Sequence, residues 1–101
     1  MIKLNLNAAL KEVDEKSIPE TTLGKVLSKR LAYANNEGNP IKMYDWATQL
    51  WSKGEIMVDR TDYDFLKNLV ENDKELLVFA KAQLLLAMDK SFKESNLEED
   101  K

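Results

Sequence analysis

From Leu76 to Met88, 11 of 13 residues are apolar, and only Lys81 and Gln83 interrupt them. Such a run goes nearly all the way round a helix, where a surface helix would show a single apolar stripe. The pattern therefore predicts a buried helix with neighbours on several sides. A membrane span needs about 20 apolar residues; this run is shorter, and Lys74, Glu75, Asp89 and Lys90 flank it. Its partners must come from the rest of the chain.

At the N-terminus, Ile2, Leu4 and Leu6 alternate with Lys3, Asn5 and Asn7, the period of a strand with one buried face. A weaker extended piece follows from Leu10 to Ile18, turning at Asp14-Glu15-Lys16 ahead of Pro19. The N-terminal region is thus either one strand or a hairpin, and an isolated hairpin is marginal in water, so it should lie against helices. Thr21 or Thr22 is placed to cap a helix in which Leu23, Val26, Leu27, Leu31 and Ala34 share one face, ending near Asn35. Asn39 as N-cap, Pro40 in the first turn and Gly54 after Lys53 bracket a second helix. Glu55 to Val58 alternates again, with Ile56 and Val58 on one side, and reads as a short strand or an extended linker placed to pair with the first strand. Asp59 then caps a third helix with Tyr63, Leu66, Leu69 and Val70 on its inner face. Asn72 followed by Glu75 resembles a capping box for the final helix.

The prediction is an α+β, predominantly helical fold: four helices near 22 to 35, 40 to 53, 60 to 71 and 73 to 92. They pack around a central C-terminal helix, with a short N-terminal β-strand or hairpin. Residues 1 to 93 form one compact domain, and 94 to 101 form a disordered acidic tail.

In the second helix Met43, Tyr44, Ala47, Leu50 and Trp51 line one side, with Trp46 at the edge of that stripe. Trp51 is assigned to the core, while Trp46 divides between core and contact surface, because aromatic residues dominate interface hot spots. Phe65 stands off the main stripe of the third helix and either broadens the core or is exposed. Lys25, Lys29 and Arg30 fall on or beside the outer face of the first helix, where solvation is the ordinary fate and a basic partner-binding edge is the alternative. Trp46, Phe65, Lys25, Lys29 and Arg30 are therefore the candidate protein-binding residues.

Composition narrows the chemistry. The 101-residue chain contains neither cysteine nor histidine, so thiolate chemistry, Cys-based zinc sites and histidine general bases have no residues to run on. The formal charge of -3 is concentrated in Glu94 to Lys101, with four acids and one lysine, which leaves 14 basic and 14 acidic residues in the rest. That balance gives no general bias toward nucleic acid. Asp59, Asp62 and Asp64 lack the ligand spacing of a calcium loop and read as helix-start residues. Gly24, Gly38 and Gly54 stand alone, without a phosphate-binding loop. A helix as apolar as 76 to 88 does not suit the DNA groove. Residues 1 to 7 lack the continuous apolar region of a secretion signal. The expectation is a non-enzymatic cytoplasmic protein with no cofactor, no metal, no membrane association and no nucleic-acid partner.

Several stretches resemble small proteins of tailed bacteriophages and prophages: Ile2-Lys3-Leu4-Asn5-Leu6, Thr21-Thr22-Leu23-Gly24-Lys25-Val26-Leu27, Val58-Asp59 leading to Leu66-Lys67-Asn68-Leu69-Val70, and Ala80-Lys81-Ala82-Gln83-Leu84. These are helix starts and core patterns rather than catalytic motifs. The resemblance implies a setting in the bacterial host cytoplasm or on the virion, where many small late products assist head or tail assembly by binding another protein. The function expected is a protein-binding or self-associating factor in particle assembly, its partner a phage structural protein or a second copy in a homodimer. The alternative is a small regulatory or inhibitory protein that binds a host or competitor factor.

Overall fold

The computed structural model describes residues 1 to 14, 16 to 33 and 39 to 99. In chain order it comprises β1 (Ile2–Asn5), β2 (Ala9–Lys11), β3 (Ser17–Thr22), α1 (Leu23–Ala32), α2 (Pro40–Ser52), β4 (Glu55–Val58), α3 (Arg60–Glu71) and α4 (Val78–Glu99). The fold is α+β and predominantly helical, with four helices among the described residues.

The N-terminal region resolves into a strand and a separate hairpin. Strand β1 pairs antiparallel with β4, with Ile2 opposite Val58 and Leu4 opposite Ile56. These four residues are buried together, as the alternation requires. Strands β2 and β3 form a second antiparallel pair, with a register shift between Ala9 and Lys11. At its turn Glu12 N–H donates to the Lys16 carbonyl at 2.9 Å and Lys16 N–H to Asp14 Oδ1 at 3.0 Å; the predicted turn residue Glu15 lies outside the described residues. Beyond β1, Leu6 N–H donates to the Gly54 carbonyl and Leu6 carbonyl accepts from Gly24 N–H, tying β1 to the start of α1 and the end of α2.

Helix boundaries follow the capping residues where those act locally. Thr22, rather than Thr21, caps α1 by accepting from Lys25 N–H at 3.1 Å. Asn39 Oδ1 accepts from Ile41 and Lys42 N–H ahead of α2, and Asp59 Oδ1 accepts from Asp62 N–H at 2.7 Å ahead of α3. The predicted inner-face residue Ala34 and the helix end near Asn35 lie outside the described residues.

Helix α4 departs from the prediction at both ends. Asn72 does not open it; that residue closes α3, and the helix starts at Val78. Asp73 caps a turn instead, accepting from Glu75 and Leu76 N–H while its carboxylate receives Arg30 Nε at 2.6 Å and Nη2 at 3.0 Å. At the other end α4 runs on to Glu99, past the predicted domain boundary at Lys93, and Ser95 is buried within that extension. Asp100 and Lys101 of the predicted tail lie outside the described residues.

The all-round burial predicted for residues 76 to 88 is also corrected. One face, Ala80, Leu84, Met88, Ser91 and Ser95, is buried, whereas Leu77, Val78 and Leu86 are 66%, 83% and 70% exposed. The buried face lies against β1, β2, α1 and α3. Its polar members satisfy strand backbone. Ser91 Oγ accepts Asn5 N–H and Ser95 Oγ accepts Lys3 N–H, each at 3.1 Å. The Gln83 amide accepts Lys11 N–H at 3.0 Å and donates to the Lys11 carbonyl at 2.7 Å. These side chains bond strand backbone as a further strand would; the Lys3 and Asn5 amides are part-buried, where a missing partner is costly, and the Lys11 bonds lie at the exposed edge.

Candidate functional site

Helix α2 decides which aromatic side chains are available to a partner. Its buried residues are Met43, Trp46, Ala47 and Leu50. Trp46 is only 6% exposed and belongs to the core, whereas Trp51 is 49% exposed and Tyr44 67%. This overturns the core assignment of Trp51, selects the core alternative for Trp46 and removes Tyr44 from the inner stripe. Successive helix residues are about 100° apart, so Trp46 and Trp51 flank Leu50 on opposite sides of the apolar arc. The arc faces α1 on the Trp51 side, where Ser28 Oγ donates to the Ala47 carbonyl at 2.6 Å, and α3 on the Trp46 side, through Phe65. Ile41, Tyr44, Thr48 and Trp51 then fall along one outward strip of α2, all of them exposed.

The predicted binding residues separate into two places. Trp46 and Phe65 pack together with ring centroids 6.4 Å apart, beneath Lys42, whose Nζ lies 5.4 Å from the Trp46 ring. Lys42 is itself held by Asp62 at 2.6 Å, and that hydrogen bond, against a smaller desolvation effect, holds the ammonium above its ordinary pKa. Asn39, Met43 and Thr61 complete a groove of about 350 Å³ here. Its tryptophan is buried and its cation is paired. Asp62 binds Lys42 and Asp64 pairs with Arg60, so the acids at the start of α3 serve capping and surface ion pairs.

Lys25, Lys29 and Arg30 gather at a second cleft, also about 350 Å³, with Glu20, Thr21, Val26, Tyr33 and Trp51. Lys25, Lys29 and Tyr33 recur every fourth residue and so share one face of α1 and its end. Lys25 Nζ and Lys29 Nζ stand 5.1 and 5.7 Å from the centre of the Trp51 ring, within the range of a cation attracted to an aromatic face. Arg30 differs from the two lysines. Its guanidinium is forked onto Asp73 and reaches Glu75 at 3.2 Å, and hydrogen bonding to Asp73, against desolvation, raises its pKa further. It clamps α1 to the turn before α4. Lys25 and Lys29 form no ion pair among the described residues.

The cleft has a backbone outlier on its rim. Glu20 has φ of 59°, a conformation that non-glycine residues adopt at a cost and that tends to persist where surrounding structure imposes it. It falls in the irregular part of β3, directly after Pro19, and its carbonyl accepts Lys25 Nζ at 3.4 Å. The outlier thus points a backbone oxygen at one of the two lysines.

The sequence reasoning missed Tyr33, Ile41, Tyr44 and Glu20, and it misplaced Trp51. The spacing of Lys25, Lys29 and Tyr33 was a signal available for the first of these. Nothing local marks Glu20, because its dihedral follows from the irregular pairing of β2 with β3. Among the described residues no group of three or more acids is placed to hold a metal ion, and no helix is long and apolar enough to cross a membrane. No protein-family model, curated protein or solved structure matches the chain.

Proposed function

We propose that this is a non-enzymatic protein-binding factor whose docking surface is the outward strip of α2 together with the Trp51 cleft on α1. The observation that carries this reading is the exposure of Trp51, Tyr33, Tyr44 and Ile41 at 49%, 82%, 67% and 82% on neighbouring parts of two packed helices. Large aromatic side chains, tryptophan and tyrosine above all, are enriched at interface hot spots. Concentrated exposed apolar surface of this kind marks interaction sites more often than isolated exposed residues do.

The resemblance of its helix starts to small phage proteins supports particle assembly as the setting, with a head or tail protein or a second copy as partner. A regulatory protein acting on a host or competitor factor is the second reading, favoured by the compact cleft, which suits a short segment better than an extended assembly interface. A photo-crosslinking residue at Tyr33 or Tyr44, introduced in the producing cell, tests the proposal. A discrete adduct that disappears with Trp51→Ala is expected; adducts at random surface positions as strong as those at Tyr33 would defeat it. The identity of the adduct then separates assembly from regulation.

A further inference from the structure

We propose that the Lys25, Lys29 and Trp51 cleft recognises an acidic peptide segment of its partner, one or two carboxylates flanked by an apolar side chain. This deepens the protein-binding reading above and rests on it.

Two ammonium groups converge on one indole ring, at 5.1 and 5.7 Å from its centre, with no carboxylate paired to either among the described residues. Like charges held near a common point repel, and an incoming carboxylate between them relieves that repulsion while gaining two charge-assisted hydrogen bonds. The nearby cation that has partners, Arg30, is occupied by Asp73 and Glu75. Within the cleft, the cations without an ion pair among the described residues are therefore Lys25 and Lys29.

The same geometry sets the size and class of the ligand. Among the described residues Glu20 is the one acid lining the cleft, so the surplus of positive charge there is small and matches one or two carboxylates. Nucleic acid would bring a phosphate charge about every 1.7 Å of duplex onto a cleft that Glu20 lines in part and whose Arg30 is already held by Asp73 and Glu75, and most of those charges would meet no cation. The exposed ring of Tyr33 and the half-exposed Trp51 offer apolar contact beside the ammonium groups, which suits an acidic residue next to a leucine, methionine or aromatic side chain.

Panning a random heptapeptide display library on the whole chain tests this, with Trp51→Ala and Lys25→Gln/Lys29→Gln variants panned in parallel. Thermal unfolding followed by circular dichroism verifies that both variants are folded. The expected result is enrichment of peptides that combine Asp or Glu with an apolar neighbour, binding at least about tenfold more weakly to the double lysine variant. Enriched neutral peptides that require Trp51 but ignore the lysines would overturn the acidic specificity and leave the docking surface standing. Peptides indifferent to both variants, or no enrichment at all, would overturn both. Fluorescence anisotropy with labelled deca-glutamate and an equally labelled deca-thymidine completes the test: tighter binding of the oligonucleotide would overturn the choice of a peptide ligand.

Discussion

Gly24 and Gly54 approach so closely that a Cβ on Gly24 would lie 3.0 Å from the Gly54 Cα and 3.0 Å from the Leu50 carbonyl oxygen. Backbone rather than flexible side chain stands in the way, so the neighbours cannot yield cheaply. The contact lets the first turn of α1 cross the end of α2 while Leu6 bonds to both glycines. Gly54 carries a second constraint, with φ of 75° and Asn7 Cβ 2.8 Å from the place its own Cβ would occupy. Gly54→Ala should therefore destabilise the fold by about 1–3 kcal/mol for the backbone strain alone, and Gly24→Ala should also destabilise it. Urea unfolding of each variant checks this; an unchanged midpoint for Gly54→Ala would show that the crossing is loose.

The one-sided burial of α4 makes neighbouring leucines differ. Leu84 is fully buried, Leu85 is partly buried against the core and Leu86 is 70% exposed. Leu84→Ala should cost about 2–5 kcal/mol, Leu85→Ala less, and Leu86→Ala should fall within about 0.5 kcal/mol of the parent. The three urea midpoints, measured side by side, should rank in that order. A large loss at Leu86 would restore the all-round burial that the composition of the run suggests.

Ser91 and Ser95 each accept a backbone amide of β1. Removing a hydroxyl leaves that N–H without its partner, at a cost of about 1–3 kcal/mol where the group is buried. Ser91→Ala should also speed hydrogen exchange at the Asn5 amide, and Ser95→Ala at the Lys3 amide, with little change at amides in the centre of α2. Uniform acceleration across the chain would indicate global destabilisation instead.

The Arg30 and Asp73 clamp should appear in the pH dependence of stability. Burial pushes the Asp73 carboxyl up, but the hydrogen bonds from Arg30 and from the Glu75 and Leu76 amides outweigh it and hold its pKa below the ordinary value. The folded state thus binds this proton more weakly than the unfolded chain. Its contribution is complete above the unfolded value, about 3.9, and is lost as pH falls through the lower folded value. Asp73→Asn should lower stability at pH 7 by about 1–3 kcal/mol and flatten the acid limb of the stability curve below about pH 4. Denaturant titrations at several pH values give both quantities; parallel curves for parent and variant would dissociate Asp73 from the acid limb.

The sequence alone determined the features whose causes lie within three or four residues. Asn39 and Pro40 start α2, Gly54 follows its end, and Asp59 starts α3, because a cap is a side-chain oxygen reaching the next turn and needs no distant partner. The alternation of Ile2, Leu4, Ile56 and Val58 likewise predicted the pairing of β1 with β4. Tertiary structure decided the rest. An apolar arc names the residues eligible for burial, but the position of the neighbouring helix decides which flank turns inward, and so Trp46 is covered while Trp51 stands over the cleft. Of the candidate site, the three cations were legible as an outer face. Their division into a clamp at Arg30 and two lysines without an ion pair among the described residues was not, because it depends on Asp73 and Glu75, which fold back from the turn before α4. The apolar run from Leu76 to Met88 looked like a core helix for the same reason. Its composition is nearly uniform round the helix, and only β1, β2, α1 and α3 select the face that water leaves.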